Sequence, residues 1–282
     1  MSAPILVTGA SGFLGTHLVK ALTERGETVV THSWEDGDLA RTRPAASEAR
    51  HVYHLAARTY VPDSWAHPKD FYEANVLGTI SVLDWCREHK ASMTLISSYL
   101  YGVPERLPID EDHPLSAFNP YGHSKLLAEQ VARFYEKNFG VPVTVVRPFN
   151  LYGPGQHGDF LIPTLIRQAL DPQTDVISVA DDRPRRDYIF VGDLVSLLLK
   201  SSGRSGGTYN AGSGCSTSVL ELAGLIAEIT GSGKPVISRN EHRPNEVLDT
   251  VAGISRAKRE LDWAPEVSLR EGLTRTVRAY RR

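Results

Sequence analysis

The most constraining feature of the sequence is an apolar run that leads through three evenly spaced glycines into an amphipathic stretch. Residues 5–8 form the run, Gly9, Gly12 and Gly15 follow, and residues 13–25 continue with a helical pattern. A glycine at the end of a strand permits a tight turn, a second lets the backbone approach a pyrophosphate, and a third allows close packing of helix on strand. The helix N-terminus adds unpaired N–H groups and a partial positive charge. The pattern predicts a dinucleotide site whose phosphate-binding residues are Gly9, Gly12, Phe13, Leu14 and Gly15.

Short β-branched runs alternate with longer amphipathic stretches through the first half of the chain. The pattern predicts strands at 5–8, 28–31, 51–55, 93–97 and 143–146, with helices at 13–25, 71–89 and 121–139. Strands that alternate with helices indicate a parallel sheet covered on both faces, which is an α/β fold of the doubly wound Rossmann type. After about residue 151 the rhythm gives way to loops, short helices and brief strands. We therefore expect a Rossmann domain at 1–150 and a smaller substrate-binding lobe at 151–282, with a chain that can cross between them.

Composition excludes several other classes of protein. Hydrophobic residues make up 41% and charged residues 23% of the 282 residues, which is typical of a globular protein. A formal charge of -2 provides no field that would gather nucleic acid or an anionic membrane. Cys86 and Cys215 lack the spacing of a disulfide or metal motif, so we expect two reduced thiols and no metal site. No apolar run approaches the roughly 18 residues of a membrane span, and a cytoplasmic location follows as an expectation.

A phenol and an ammonium stand four residues apart at the start of the third long helical pattern. Tyr121 and Lys125 therefore share one face of the helix. A phenol with a pKa near 10 is a poor acid or base at neutral pH, but a neighbouring ammonium and an oxidised nicotinamide favour the phenolate and bring that pKa down. Proton transfer to or from a sugar oxygen becomes feasible. The pair is expected to act in catalysis and also to contact the cofactor.

The chain resembles the extended short-chain dehydrogenases over nearly its whole length. The glycine loop is similar to their TGxxGFLG signature, 38–39 to their GDL element, and 54–57 to their HLAA strand. The resemblance implies that further cofactor contacts come from Asp38, Leu39, Leu55, Ala56, Ala57 and Pro148. Counting back from Gly102, Ser97 aligns with the family's catalytic hydroxyl, and Ser98 is the alternative.

Further motifs, most of them in the second half of the chain, imply where a substrate binds. Residues 147–154 resemble the family's RPxNxYGP, 186–193 its RDFxxVxD, 243–247 its RPGDV, and 61–79 its fourth-helix region. An arginine fork suits a diphosphate because it bonds phosphate oxygens bidentately. The resemblance implies a nucleotide-diphosphate sugar as substrate and a homodimer formed through a four-helix bundle by 71–89 and 121–139. The implied substrate contacts are Ser64, Ser98, Tyr99, Asn150, Arg186 and Arg243.

The end of the second strand bears on the choice of cofactor. A carboxylate at that place bonds the adenosine ribose, but here Ser33 stands there, and Glu35 and Asp36 come just after it. The missing acid removes the charge that would repel a 2'-phosphate, although no arginine follows to bind one. The sequence therefore favours NADP(H) slightly over NAD(H), with Ser33 as a contact.

Several reactions remain open within the family. Its sugar dehydratases carry an Asp-Glu pair directly after the catalytic threonine, where this chain has Ser98 and Tyr99, so dehydration is disfavoured. The missing ribose-binding acid, and a likeness of 155–163 to GDP-4-keto-6-deoxymannose reductases, favour a 4-ketoreductase of deoxysugar biosynthesis. A 4-epimerase that retains its NAD is the alternative. A non-catalytic dinucleotide-sensing scaffold is a remote third, since such proteins lose the tyrosine or the lysine.

Overall fold

A six-stranded parallel sheet forms the centre of the computed structural model, which describes residues 3–44, 46–204, 206–242 and 246–281. The strand order is β2-β1-β3-β4-β5-β9, and each pair in it is parallel. The strands of this sheet are β1 (Ile5–Thr8), β2 (Val29–His32), β3 (His51–His54), β4 (Ser92–Ile96), β5 (Val143–Pro148) and β9 (Thr208–Ala211). The α/β Rossmann-type fold is confirmed, and the carboxyl ends of all six strands lie along one edge.

Helices cover both faces of this sheet. The first half supplies α1 (Phe13–Glu24), α2 (Val61–Ala66), α3 (Pro68–Tyr72), α4 (Gly78–His89) and α5 (Pro120–Phe139). The predicted helix at 71–89 is divided, because a π-helical turn at Glu73–Leu77 joins α3 to α4. No helix was predicted between β2 and β3, and apart from the single turn Trp34–Asp36 the described residues of that connection form none.

The second half of the chain builds a smaller layer over the edge where the strands end. It contains β6 (Asn150–Tyr152), α6 (Leu161–Leu170), β7 (Ile177–Val179), β8 (Arg185–Phe190), α7 (Val191–Ser201), β10 (Ser216–Ser218), α8 (Val219–Thr230), β11 (Val236–Ser238), α9 (Ser255–Leu261) and α10 (Leu269–Tyr280). Strands β10, β8 and β6 form one small sheet, and β11 and β7 form another. The two halves share one core, because β9 completes the large sheet and buried residues of α7 and α8 pack in one cluster with those of β1 and α1.

Trp263 illustrates how the C-terminal segment is attached. Trp263 is 1% exposed, and its indole N–H donates to the Asp193 carbonyl oxygen at 3.1 Å. The Asp193 carboxylate accepts the N–H groups of Glu266 and Val267, both at 3.1 Å. None of the helices within the described ranges combines the length and apolar character that crossing a membrane requires.

Candidate active site

The glycine loop after β1 shows why each glycine is needed. Gly9 has φ +70°, and a Cβ there would lie 2.7 Å from the Ala56 nitrogen. A Cβ on Gly15 would lie 2.2 Å from the Gly9 carbonyl oxygen, so this glycine lets α1 pack against the loop. At Gly12 the nearest atom would be 3.2 Å away, and no other lies within 4 Å. Gly9 and Gly15 therefore serve the fold, whereas Gly12 leaves open the approach to the N-terminus of α1.

Ser33 contacts this loop from the end of β2. Its hydroxyl accepts the Ser11 N–H at 3.1 Å, and its own N–H donates to the Asp36 carboxylate at 2.8 Å. Asp36 thus caps the backbone next to Ser33 in place of an acid on the strand itself. Beside them an open depression of about 410 Å³ is lined by the glycine loop, α1, Thr31 and Ser33. Its size and place suit the adenosine half of a dinucleotide.

Some of the other residues predicted to contact the cofactor lie at the sheet edge, and others lie in the core. Leu55 and Ala56 donate their N–H groups to the carbonyl and hydroxyl oxygens of Thr8, at 3.2 and 3.4 Å, so this segment follows the glycine loop closely. Asp38 caps a turn through the Ala40 N–H at 3.0 Å, and Leu39 packs in the core. Three residues, Leu55, Ala56 and Ala57, are half-buried directly after the end of β3. Pro148 is buried at the end of β5.

Tyr121, Lys125 and the two serines meet where β4 ends and α5 begins. Asn119 caps α5 by accepting the Gly122 N–H at 2.7 Å, which places the half-buried Tyr121 in the first turn and buried Lys125 one turn later. Ser97 and Ser98 are 3% and 8% exposed, and neither hydroxyl has a hydrogen-bond partner in the described part of the chain. Two orphaned hydroxyls beside a phenol are polar groups available to a ligand.

The electrostatics of these groups differ from the sequence expectation in one respect. Burial raises the pKa of Tyr121, and the nearby Ser98 hydroxyl, without completing a hydrogen bond, lowers it. The expected lowering by Lys125 is not found: desolvation of the phenolate is the largest influence on this pKa, and only Ser98 opposes it. Burial also lowers the pKa of Lys125, to about 8, while Glu129 acts in the opposite direction. Of the two serines, it is Ser98 whose effect reaches the phenol.

Residues outside the predicted site hold Tyr121 in place. Asn75, in the π-helical turn, donates to the Ser124 hydroxyl at 2.8 Å, and Ser124 donates to the Tyr121 carbonyl oxygen at 2.7 Å. The Asn75 amide also accepts the Arg58 N–H at 2.9 Å and donates to the Arg58 carbonyl at 3.1 Å. A polar Asn75 at a core position of an otherwise apolar helical stretch is the signal that could have identified it.

Unlike Ser98, four of the predicted substrate residues have hydrogen-bond partners within the described chain: Asn150, Tyr99, Ser64 and Arg186. The Asn150 amide donates to the Asp187 carbonyl at 3.0 Å, and the Tyr99 hydroxyl donates to the Gly102 carbonyl at 2.6 Å. The Ser64 hydroxyl donates to a carbonyl of its own helix at 2.7 Å, so it faces inward. Burial raises the pKa of Tyr99, so this phenol stays protonated.

Arg186 has a partner far away in the sequence. Its guanidinium is paired with the Glu246 carboxylate and donates to the Val247 carbonyl at 2.5 Å. Neither Asp187 nor Asp193, the two acids near it in the sequence, is its partner: the Asp187 carboxylate accepts three backbone N–H groups, at 2.6, 2.9 and 2.9 Å, and the Asp193 carboxylate accepts two. Arg243 lies outside the described residues. Within the described ranges no cluster of potential ligands could hold a metal ion.

Comparison with known proteins agrees with this geometry. Residues 5–212 match the model of the NAD dependent epimerase/dehydratase family. A putative UDP-glucose 4-epimerase of Methanocaldococcus jannaschii is 31% identical, over 97% of this chain and 97% of that protein. The structure of MoeE5 in complex with UDP-glucose and NAD superimposes with a TM-score of 0.88 at 30% identity, covering 99% and 98% of the two chains.

A further solved structure carries the other dinucleotide. RMD from Pseudomonas aeruginosa, complexed with NADPH, has a TM-score of 0.89 and 29% identity and covers 99% of each chain. The family match, these relatives and the glycine loop over a parallel sheet all lead to the same assignment. The chain is an enzyme of the extended short-chain dehydrogenase type and belongs to the NAD-dependent epimerase/dehydratase family.

Proposed function

We propose that this enzyme moves hydride between a nicotinamide and C4 of a sugar carried on a nucleoside diphosphate. The observation that carries the proposal is the meeting of Tyr121, Lys125 and two unpartnered serine hydroxyls beside the strand ends that follow the glycine loop. In open α/β sheets ligands bind in the crevice outside those ends. When bound, the dinucleotide supplies the hydride acceptor and donor. Gly12, Ser33 and the backbone at Leu55 to Ala57 are the groups that would hold it.

The chemistry of the chain's own residues follows from their protonation. Tyr121 takes the proton of the sugar hydroxyl when C4 is oxidised and returns it when C4 is reduced. The Ser98 hydroxyl opposes the desolvation that raises the phenol pKa, and the positive charge of a bound, oxidised nicotinamide would act in the same direction as Ser98. Ser97 holds the reacting oxygen by hydrogen bonding. Ser98 is the alternative for this role, because it is the serine that affects the pKa of Tyr121.

Dehydration would need additional acid and base steps, and in the described part of the chain the buried carboxylates of Glu129 and Asp187 are already engaged. Near the reacting groups the Glu129 carboxylate is occupied by the Arg147 fork, and the Asp187 carboxylate is surrounded by backbone N–H groups. Tyr99 occupies the place of the dehydratase glutamate, and its hydroxyl is held by Gly102. These contacts favour a reaction that needs only one proton shuttle.

Among such reactions we favour 4-epimerisation with retained NAD, because the relatives named above include a putative UDP-glucose 4-epimerase and a protein that binds UDP-glucose and NAD. Reduction of a 4-keto-6-deoxysugar by NADPH is the second candidate. Two observations favour it. The end of β2 is followed by Ser33 and not by an acid, and the structural likeness to RMD with NADPH is as strong as the likeness to MoeE5 with NAD. A cytoplasmic location accompanies either proposal.

The experiment separates these reactions by following the sugar and the coenzyme together. Purified protein is incubated with UDP-galactose or UDP-glucose, and with an NDP-4-keto-6-deoxyhexose plus NADPH or NADH. Interconversion of the UDP-hexoses without net coenzyme consumption supports the epimerase, and stoichiometric oxidation of NAD(P)H supports the reductase. Coenzyme binding without chemistry on any NDP-sugar would contradict both and leave the scaffold.

Two binding features belong to the same proposal. Arg186 and Arg243 would bond the substrate diphosphate, with Glu246 giving up its hold on Arg186 when the phosphates arrive. Homodimerisation is proposed through the segments 71–89 and 121–139, where an apolar depression is lined by Val76 and Leu77 of the π-helical turn and by Leu127 of α5. Light scattering of the purified protein tests the dimer, and a mass of about 31 kDa would contradict it.

A further inference from the structure

Lys125 is buried without a counter-charge in contact. Its side chain is 4% exposed, and its ammonium makes no ion pair or hydrogen bond with any residue in the described part of the chain. Burial of an ammonium disfavours the charged form, by an amount that often exceeds one pH unit. If Lys125 acts on Tyr121 as an ammonium, as the proposed function requires, it therefore needs an electrostatic partner close by.

Glu129 lies one turn further along the same face of α5. It is 5% exposed, and its two oxygens accept Nε and Nη2 of Arg147 at 3.0 and 2.6 Å. Residues four apart on a helix are neighbours, with Cβ atoms about 5–6 Å apart. The negative end of this ion pair is therefore on the helix of Lys125, and the positive end is on β5. Arg147 itself is 5% exposed, so the whole pair is shielded from water.

The Arg147 guanidinium also contacts Tyr101, and through Tyr101 it is connected to β9. Its Nη1 donates to the Tyr101 hydroxyl at 3.0 Å, and Tyr101 donates to Asn210 of β9 at 2.6 Å. Tyr101 closes the segment that begins at Ser97, and Arg147 directly precedes Pro148. These hydrogen bonds fix the carboxylate of Glu129 relative to β5, to the segment from Ser97 to Tyr101 and to β9.

The charged and titratable groups around Lys125 leave Glu129 as the acid that can oppose burial. From β3 it faces His54, whose pKa is lowered to about 3, chiefly by burial, so that this ring is neutral. From α5 it faces Tyr121 and Glu129, and Glu129 raises the pKa of Lys125 against the larger effect of burial. No charge on another packed element takes this role among the described residues.

We propose that Glu129 is a positioning residue which, held by Arg147, keeps the ammonium of Lys125 charged at the pH at which the enzyme works. The inference rests on the proposed function for its consequence in catalysis. Its physical content concerns only the protonation of one lysine, and this can be measured without any substrate.

The test is an NMR titration of Lys125 in protein labelled with 13C at the lysine side chains, with Lys125→Met used to assign the signal. In Glu129→Gln we expect the titration midpoint of Lys125 to fall by about one pH unit, because the opposite charge is lost. Glu136→Gln is the matched control. Glu136 lies two turns further along α5 and accepts Arg133 at 2.6 Å, so this variant breaks an ion pair of the same helix away from Lys125. Its Lys125 midpoint should stay unchanged.

Loss of Glu129 alone leaves Arg147 buried and unpaired, which can unfold the protein. The double variant Glu129→Gln/Arg147→Met removes both charges, and Glu129→Asp keeps the negative one. We expect the Lys125 midpoint in the double variant to stay below that of the parent, and Glu129→Asp to restore most of the difference. A parental midpoint in a folded single or double variant overturns the proposal.

Turnover provides the link to catalysis. The alkaline limb of kcat should move down in Glu129→Gln by the same amount as the Lys125 midpoint, while the limb of Glu136→Gln stays in place. An NMR shift with no activity on any NDP-sugar would reject the proposed function and leave the role of Glu129 supported. Activity with an unmoved Lys125 midpoint would do the reverse.

Discussion

Two buried histidines make the stability of the fold depend on pH. His54 joins β3 to the glycine loop: its Nδ1 lies 2.7 Å from the Thr8 hydroxyl and its Nε2 lies 3.0 Å from the Thr79 hydroxyl. Thr79 donates to the Asn75 carbonyl at 2.6 Å, so it accepts from Nε2–H, and Nδ1 is left as the acceptor for Thr8. This arrangement requires the neutral ring.

Burial lowers the pKa of His54 to about 3 and that of His51 to about 4. An unfolded histidine has a pKa near 6.5, so below that pH the unfolded state binds more protons, and the free energy of unfolding falls as the pH falls. The slope is about 1.4 kcal/mol per pH unit for each ring. Because the unfolded rings are half protonated at pH 6.5, the full slope is reached only below that pH, and between pH 6.5 and pH 5 the two rings together should cost about 3 kcal/mol, or about 5 °C in Tm for a chain of this length.

Chemical denaturation and thermal melting at half-unit steps from pH 7.5 to pH 5 measure this loss. His54→Gln removes one titrating ring and should reduce the loss to about 2 kcal/mol, whatever its stability at pH 7. His157→Gln is the control, because that side chain is 75% exposed, and it should keep the full slope. Stability that is flat from pH 6.5 to pH 5 in the parent, or an unchanged slope in His54→Gln, would refute the reasoning.

Three further outcomes follow from the site. Gly15→Ala should lower the free energy of unfolding by more than about 2 kcal/mol because its Cβ meets backbone oxygens, whereas Gly12→Ala should melt near the parent and weaken NADH binding in a fluorescence titration. Tyr121→Phe should reduce kcat by at least about 100-fold with NADH affinity within about two-fold; activity close to that of the parent would remove the phenol from its role. Ser97→Ala and Ser98→Ala, compared in kcat, decide which hydroxyl holds the reacting oxygen: the larger loss identifies it, and equal small losses would exclude both.

Local patterns in the sequence were sufficient for the parts of the site that depend on neighbours in the chain. The glycine loop requires only a strand end, a turn and a helix start within residues 5–15, and each glycine is explained by contacts inside or beside that segment. Tyr121 and Lys125 share a helix face because they are four residues apart. The parallel sheet followed from the alternation of strand and helix periods. What the sequence missed is the division of the helix predicted at 71–89, since a π-helical turn at Glu73–Leu77 carries no separate periodic signal.

The sequence by itself thus determined the glycine loop, the shared helix face of Tyr121 and Lys125, and the fold class, because backbone geometry and helix periodicity act over short distances. Only the tertiary structure decided that Arg186 pairs with Glu246, that Glu129 is held by Arg147, and that β9 joins the first half of the chain to complete the sheet. These contacts link residues 18 to about 60 positions apart. From the sequence alone, each arginine could pair with several acids. Only the assembled fold determines which acid is buried beside it and forms the ion pair.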